Sequence, residues 1–212
     1  MNEPPPRRGR IAVLVSGNGS NLQALIDAVE TNALEVEIVV VASNRSDAFG
    51  LERARQAQIP TISPTTVPLP AEGEERSTYD RRLAEAVAAY APDVVVLAGW
   101  MRILTMEFLG RFRVLNLHPA KPGAFPGIHA IERAFTAWGA GEVDESGVMV
   151  HWVPDEGVDS GPVIAWEPVG FEAGDTIESF EARLRETEHR LLVAAVATAT
   201  ATVRTHQEPV SS

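Results

Sequence analysis

Apolar residues recur along this chain with two periods, and the two alternate. Arg10 to Val15 (Arg-Ile-Ala-Val-Leu-Val) is a short, continuous, β-branched run of the kind that forms a buried strand. The polar stretch Ser16-Gly17-Asn18-Gly19-Ser20-Asn21 interrupts it. Leu22 to Glu30 then resumes at helical spacing through Leu22, Leu25, Ile26 and Val29, with Ser20 or Asn21 as the natural N-cap. Val36 to Ala42 predicts a second buried strand, Ala48 to Gln58 a helix, and Pro60 to Ile62 a short third strand. Pro64, Pro68, Pro70 and Gly73 break the chain into a loop. Arg76 to Tyr90 places Tyr79, Leu83, Ala86 and Val87 on one helical face, and Pro92-Asp93 opens the strand Val94 to Ala98. Gly127 to Trp138 reads as a helix carrying His129. Gly147 to Val153 is a strand with Val148, Val150 and Trp152 on one face and Met149 and His151 on the other. Val163 to Val169 is a last strand, and Asp175 to Val203 is a long helix. Strands alternating with helices of this length predict an α/β fold with a doubly wound, mostly parallel sheet and a long C-terminal helix. Residues 10–203 form one domain, with halves of about 10–110 and 111–203. A disordered Pro- and Arg-rich segment precedes it at 1–9, and a tail follows at 204–212.

The stretch Val114-Leu-Asn116-Leu-His118-Pro119 carries the most chemistry. Asn116 and His118 stand two apart at a strand end, so their side chains point the same way, and Pro119, Pro122 and Pro126 stiffen the loop beyond. Open α/β sheets place ligands at this carboxyl edge. By itself the pattern serves equally for a histidine that only caps a loop. Strand, Gly-rich turn and helix at 10–30 is the arrangement that aims free backbone N–H groups at an anion. A dinucleotide reading is weaker, because Leu22 stands where the third glycine of that fingerprint belongs. Gly99 to Leu104 reads either as core with one solvated arginine or as an apolar slot with a charged rim. The loop Pro154 to Pro162 holds Asp155, Glu156 and Asp159 between two strands, with Gly157 and Gly161, which permit motion; an acidic surface hairpin would show the same pattern. Glu188 and His189 fall mid-helix, where exposure is the default.

Composition narrows the function. The net charge of −11 excludes a broad nucleic-acid surface, although backbone amides and local arginines can still serve an anionic small molecule. There is no cysteine, hence no disulfide framework and no thiolate chemistry, and this suits a cytoplasmic setting. No apolar run approaches the roughly 18 residues of a membrane span, and the first residues lack the apolar core of a signal peptide. Lys121 is the only lysine. His118, His129, His151 and Asp159 match no metal-ligand spacing, so no metal is expected. Amide, imidazole and carboxylate without a nucleophilic Ser or Cys suit direct acyl transfer. Asn and a protonated His would stabilise the oxyanion, while Asp orients the His and relays protons.

From about Arg10 to about Ala195 the chain resembles the phosphoribosylglycinamide formyltransferases, folate-dependent transformylases of purine biosynthesis with a Rossmann-like formyltransferase fold. The resemblance rests on residues 16–21, Leu97-Ala-Gly-Trp100-Met101-Arg102-Ile103-Leu104, Asn116-Leu-His118-Pro119, Phe125-Pro126-Gly127, Val150-His151-Trp152-Val153 and Val158-Asp159-Ser-Gly-Pro162. It implies direct transfer of formyl from 10-formyltetrahydrofolate to the amine of glycinamide ribonucleotide through a tetrahedral intermediate, with Asn116, His118 and Asp159 catalytic. It implies that Gly19, Ser20 and Asn21 bind the nucleotide phosphate and Glu188 the ribose or glycinamide side. Leu97, Trp100, Met101, Arg102, Ile103, Leu104, Val153 and Glu156 would hold the folate, with Arg102 and Arg76 on its glutamate tail. The partners implied are these small molecules alone, for a monomer or homodimer. Two departures flank the site: Ala120-Lys121-Pro122-Gly123 where the family usually reads x-Leu-Leu-Pro, and Met149 where a small hydroxyl residue is common. The same trio serves methionyl-tRNA formyltransferase and formyltetrahydrofolate hydrolase, which carry additional domains. A nucleotide-binding sensor would share the phosphate turn but have no use for the trio.

Overall fold

The computed structural model describes residues 7–207, with side chains up to residue 201. Among them seven strands form one sheet: β1 (Gly9–Val15), β2 (Val36–Ser43), β3 (Thr61–Ile62), β4 (Val94–Leu97), β5 (Val114–His118), β6 (Glu145–Trp152) and β7 (Val163–Gly170). Their order is β3-β2-β1-β4-β5-β6-β7. Pairing is parallel from β3 to β5 and antiparallel for β5–β6 and β6–β7. The helices are α1 (Ser20–Glu30), α2 (Phe49–Gln56), α3 (Arg76–Ala88), α4 (Met106–Leu109), α5 (Ala130–Gly139) and α6 (Ile177–Gln207). The doubly wound, mostly parallel sheet and long C-terminal helix expected from the sequence are thus present. No described helix is long and apolar enough to cross a membrane.

Alternation along β1 builds both layers of the core. Ile11, Val13 and Val15 join Leu22, Leu25 and Ile26 of α1 and Phe180, Leu184 and Leu192 of α6 on one face. Ala12 and Leu14 join Tyr79, Leu83 and Val87 of α3 and Phe108 of α4 on the other. Period-two strands covered by amphipathic helices on both faces give this sandwich directly.

Differences from the sequence reading are local. Helix α1 starts at Ser20, and its N-cap is Gly19 in the left-handed region (φ 74°), so neither Ser20 nor Asn21 caps it with a side chain. Helix α5 begins at Ala130 rather than Gly127, because Gly127 and His129 both adopt positive φ (81° and 57°). The single turn α4 lies in a stretch too short to show a period. At its start α6 is held by Thr176 and Ser179, each backbone N–H donating to the other's hydroxyl. It runs on to Gln207, so the first residues of the expected tail are helical. Arg7 pairs with Asp93 at 2.6 Å. Expected disorder at residues 1–6 and the tail at 208–212 lie outside the described residues.

Candidate active site

Strand β5 ends at the carboxyl edge of the sheet, and its buried ladder fixes Asn116 and His118. Asp159 reaches them from the 154–162 loop. Asn116 Nδ2 donates to Asp159 Oδ1 at 3.0 Å, His118 Nδ1 faces Asp159 Oδ2 at 3.3 Å, and the Gly127 N–H donates to that same oxygen at 2.7 Å. The structure therefore brings the three expected side chains together around one carboxylate. It also adds a fourth. His151, on β6, stands directly opposite Asn116 in the antiparallel ladder, with Nε2 3.2 Å from Asn116 Nδ2 and 3.4 Å from Asp159 Oδ1. His151 Nδ1 lies 2.8 Å from the Trp152 carbonyl, which can only accept. The network thus assigns the proton to Nδ1 and leaves Nε2 to accept from Asn116. Both Asn116 amide hydrogens are spent, one on Asp159 and one on His151. The sequence offered the alternation that put His151 on one face of its strand. It offered no register to set it against Asn116.

The electrostatics follow from burial. His118 is only 4% exposed, and burial holds its pKa below the ordinary histidine value; the Asp159 charge opposes this and loses. The sign that the sequence leaves open is therefore downward. Burial also pushes the Asp159 carboxyl up, but the Gly127 N–H and the neighbouring His118 help hold the group below the usual carboxylate range. His118 Nε2 lies 3.1 Å from the Phe125 carbonyl. Each ring nitrogen of His118 therefore faces an oxygen, whereas a neutral imidazole has one N–H to give. A proton added to the ring completes both contacts at once.

Backbone strain gathers here too. Phe125, His129 and Asp159 are non-glycine residues at φ 48°, 57° and 49°, and Phe125 and Asp159 place groups that touch His118. The 154–162 loop is less free than its glycines suggest. A Cβ on Gly161 would stand 1.8 Å from the Trp152 carbonyl oxygen, so this glycine answers to close approach and not to motion. Arg76 of α3 donates to Glu156 at 3.0 Å and ties the loop to that helix. These two expected folate contacts therefore meet each other.

A cleft of about 740 Å³ opens beside the cluster. Leu97, Trp100, Met101, Arg102, Ile103, Leu104, Val153 and Glu156, the expected folate residues other than Arg76, all line it together with Asn116, His118, His151 and Asp159. Trp100 and Leu104 are buried in its wall while Met101 is 67% exposed at its rim. The Arg102 guanidinium lies 4.9 Å from the Tyr79 ring centroid. Ile128 also lines the cleft, though nothing in the sequence singled it out. The loop is hung from the glycine-rich turn: Ser16 N donates to the Gly99 carbonyl (3.0 Å), and Met101 N donates to Ser16 Oγ (2.9 Å). At the far side of the turn Asn21 Nδ2 donates to Glu188 at 3.2 Å. Glu188 is half-buried where the sequence predicts exposure, and burial raises its pKa. Met149 is buried opposite His118 in the β5–β6 ladder, and Lys121 stands 3.7 Å from Glu145. His129 caps α5 and lies 3.2 Å from Glu132. Among the described residues no three His, Asp or Glu side chains are arranged to hold a metal ion.

Residues 9–196 match the model of the formyl transferase family. Phosphoribosylglycinamide formyltransferase of Schizosaccharomyces pombe is 47% identical over 196 residues, covering 88% of this chain and 94% of that protein. The Escherichia coli enzyme of the same name is 45% identical, covering 85% and 82%. Among solved structures, glycinamide ribonucleotide transformylase 1 of Symbiobacterium toebii superposes with a TM-score of 0.81 at 38% identity, over 92% of this chain and 89% of that one. With most of its length matched in sequence and in fold, the chain belongs to the formyl transferase family.

Proposed function

We propose that the protein transfers a formyl group from 10-formyltetrahydrofolate to the amine of glycinamide ribonucleotide, a step of de novo purine biosynthesis. The names of its relatives support the reaction. The observation that carries the mechanism is the meeting of Asn116, His118 and Asp159 at the wall of one cleft. The formyl donor is a second substrate, consumed at each turnover. The cleft fits it: about 740 Å³ lies within the usual range for small-molecule sites, with apolar walls for a flat ring and Arg102 for a distal carboxylate. The turn at 16–21 fits a phosphate monoester through its backbone N–H groups and the start of α1. Bonds from Ser16 to Gly99 and Met101 join this turn to the cleft wall, which supports a reading in which the two substrates would lie side by side.

In this reading the amine nitrogen attacks the formyl carbon and the carbonyl electron pair moves to oxygen. The growing charge competes with Asp159 for one Asn116 hydrogen. The proton shed by the nitrogen passes to His118, whose imidazolium then faces both the charge and Asp159. Collapse returns the proton to the departing folate nitrogen, so neither proton nor charge accumulates. His118 starts neutral, in keeping with its lowered pKa. Loss of a donor to an oxyanion costs about 10²–10³ in kcat. The deciding experiment offers glycinamide ribonucleotide, tRNA and water as competing acceptors. Formylated ribonucleotide in step with folate consumption is expected, and release of free formate instead would overturn the reading.

A further inference from the structure

The glycine-rich turn is braced from outside by a residue that no sequence motif above includes. Helix α2 begins in backbone contact with the turn. Gly50 N donates to the Gly17 carbonyl at 3.1 Å, and a Cβ on Gly19 would stand 2.7 Å from Gly50 Cα. One helical turn on, the Arg53 guanidinium spends all three nitrogens on the region. Nε donates to the Asn18 carbonyl (2.9 Å), one terminal nitrogen to Asn18 Oδ1 (3.0 Å) and the other to Gln23 Oε1 (3.0 Å). The Phe49 ring lies 4.8 Å from the guanidinium carbon.

These bonds have a directional consequence. Every described peptide bond is trans, and in a trans unit the C=O and the next residue's N–H point to opposite sides of one plane. With the Asn18 carbonyl held toward Arg53, the Gly19 N–H is turned away from it, beside the first-turn N–H groups of α1 that have no partner within the helix. We infer that Arg53 is the positioning residue of this turn: its forked guanidinium orients the Asn18–Gly19 peptide so that the Gly19 N–H serves a phosphate monoester. Lysine, a point donor on a flexible stem, cannot hold both Asn18 oxygens and Gln23 together. The inference rests on the reading of residues 16–21 as the phosphate turn.

Arg53→Lys, which keeps the charge, and Arg53→Met, which loses it, test the role. Each should raise the KM for glycinamide ribonucleotide about tenfold, the usual scale of a lost charge-assisted hydrogen bond. The kcat, the folate KM and the melting temperature should stay near wild type. A nucleotide KM that stays put in both variants overturns the inference. So does an Arg53→Lys enzyme of normal KM beside an impaired Arg53→Met, since charge alone would then suffice. A parallel rise in folate KM with a falling melting temperature overturns it too, because the role would be merely structural. Should the wild-type protein not formylate glycinamide ribonucleotide, the functional reading falls, and calorimetric titration with ribose 5-phosphate decides instead. Weaker binding in both variants supports the role of Arg53. Equal binding, or none by the wild type, removes it.

Discussion

Asp159→Asn replaces two acceptor oxygens by one acceptor and one donor, at a place built for acceptance alone. Oδ1 receives Asn116 Nδ2 at 3.0 Å and Oδ2 receives the Gly127 N–H at 2.7 Å. Whichever way the new amide turns, its NH₂ meets one of these donors. One contact survives as a neutral hydrogen bond, at a loss of about 1 kcal/mol, and the other becomes two opposed donors, at about 1–3 kcal/mol. The total of roughly 2–4 kcal/mol falls on the 154–162 loop, so the cost is paid as loop opening more than as global unfolding. Catalysis loses more, since Asn116 is released from its orientation and the His118 imidazolium loses its counter-charge. We expect kcat to fall by about 10²–10⁴, the usual span for a lost acid–base contribution. The pH profile has a definite sign. In the parent, burial lowers the His118 pKa and the Asp159 charge raises it in opposition. Deleting the charge removes only the raising influence, so the pKa drops further. On the proposed mechanism His118 acts from its neutral form, so the acid limb of kcat should move to lower pH. Steady-state kinetics over a pH series, with an NMR titration of the His118 ring, measure both effects. A limb displaced upward, or a kcat within threefold of the parent, would refute the reasoning.

Three further outcomes are expected. Asn116→Ala combined with His118→Ala should lose far less kcat than the product of the single losses, because both act around one carboxylate; fully multiplicative losses in single-turnover assays would mean independent roles. Gly161→Ala, whose methyl would meet the Trp152 carbonyl at 1.8 Å, should cost about 1–3 kcal/mol in denaturant melts and depress kcat by displacing Asp159, and an unchanged midpoint would show that the loop yields freely. Glu188→Gln keeps an acceptor for Asn21, so the melting temperature should hold within about 2 °C while the nucleotide KM rises and the folate KM does not; the reverse pattern would move Glu188 to the folate side.

Much of this was legible in the sequence because it depends on local period. The buried runs at 10–15, 36–42 and 94–98 became β1, β2 and β4, and Leu22, Leu25 and Ile26 became the buried stripe of α1. The two-residue spacing of Asn116 and His118 sufficed to put both side chains at Asp159. What escaped depends on pairing between distant segments. His151 enters the site through the β5–β6 register, and Arg53 reaches the turn because α2 starts against Gly19. Capping misled for a different reason. Gly19 supplies a left-handed φ directly, so Ser20 is drawn into the helix and its hydroxyl is not used as a cap. Glu188 was expected at the surface since helix position alone carries no knowledge of Asn21 across 167 residues.

The reversal of strand direction at β5 has a consequence for how such a site can change. In a wholly parallel sheet each strand would present only its terminus, and every reacting group would ride on a loop tip. An antiparallel neighbour presents its interior instead, so His151 is fixed by the same ladder that fixes Asn116 and His118. Three of the four groups are thereby frozen into the lattice of the sheet. Asp159 alone travels on connecting chain. Insertions or deletions between Val153 and Pro162 can re-tune the reach of that carboxylate, and with it the orientation it gives the Asn116 amide, while the strand positions of Asn116, His118 and His151 stay untouched, which makes this loop the natural dial for varying the site without rebuilding the fold.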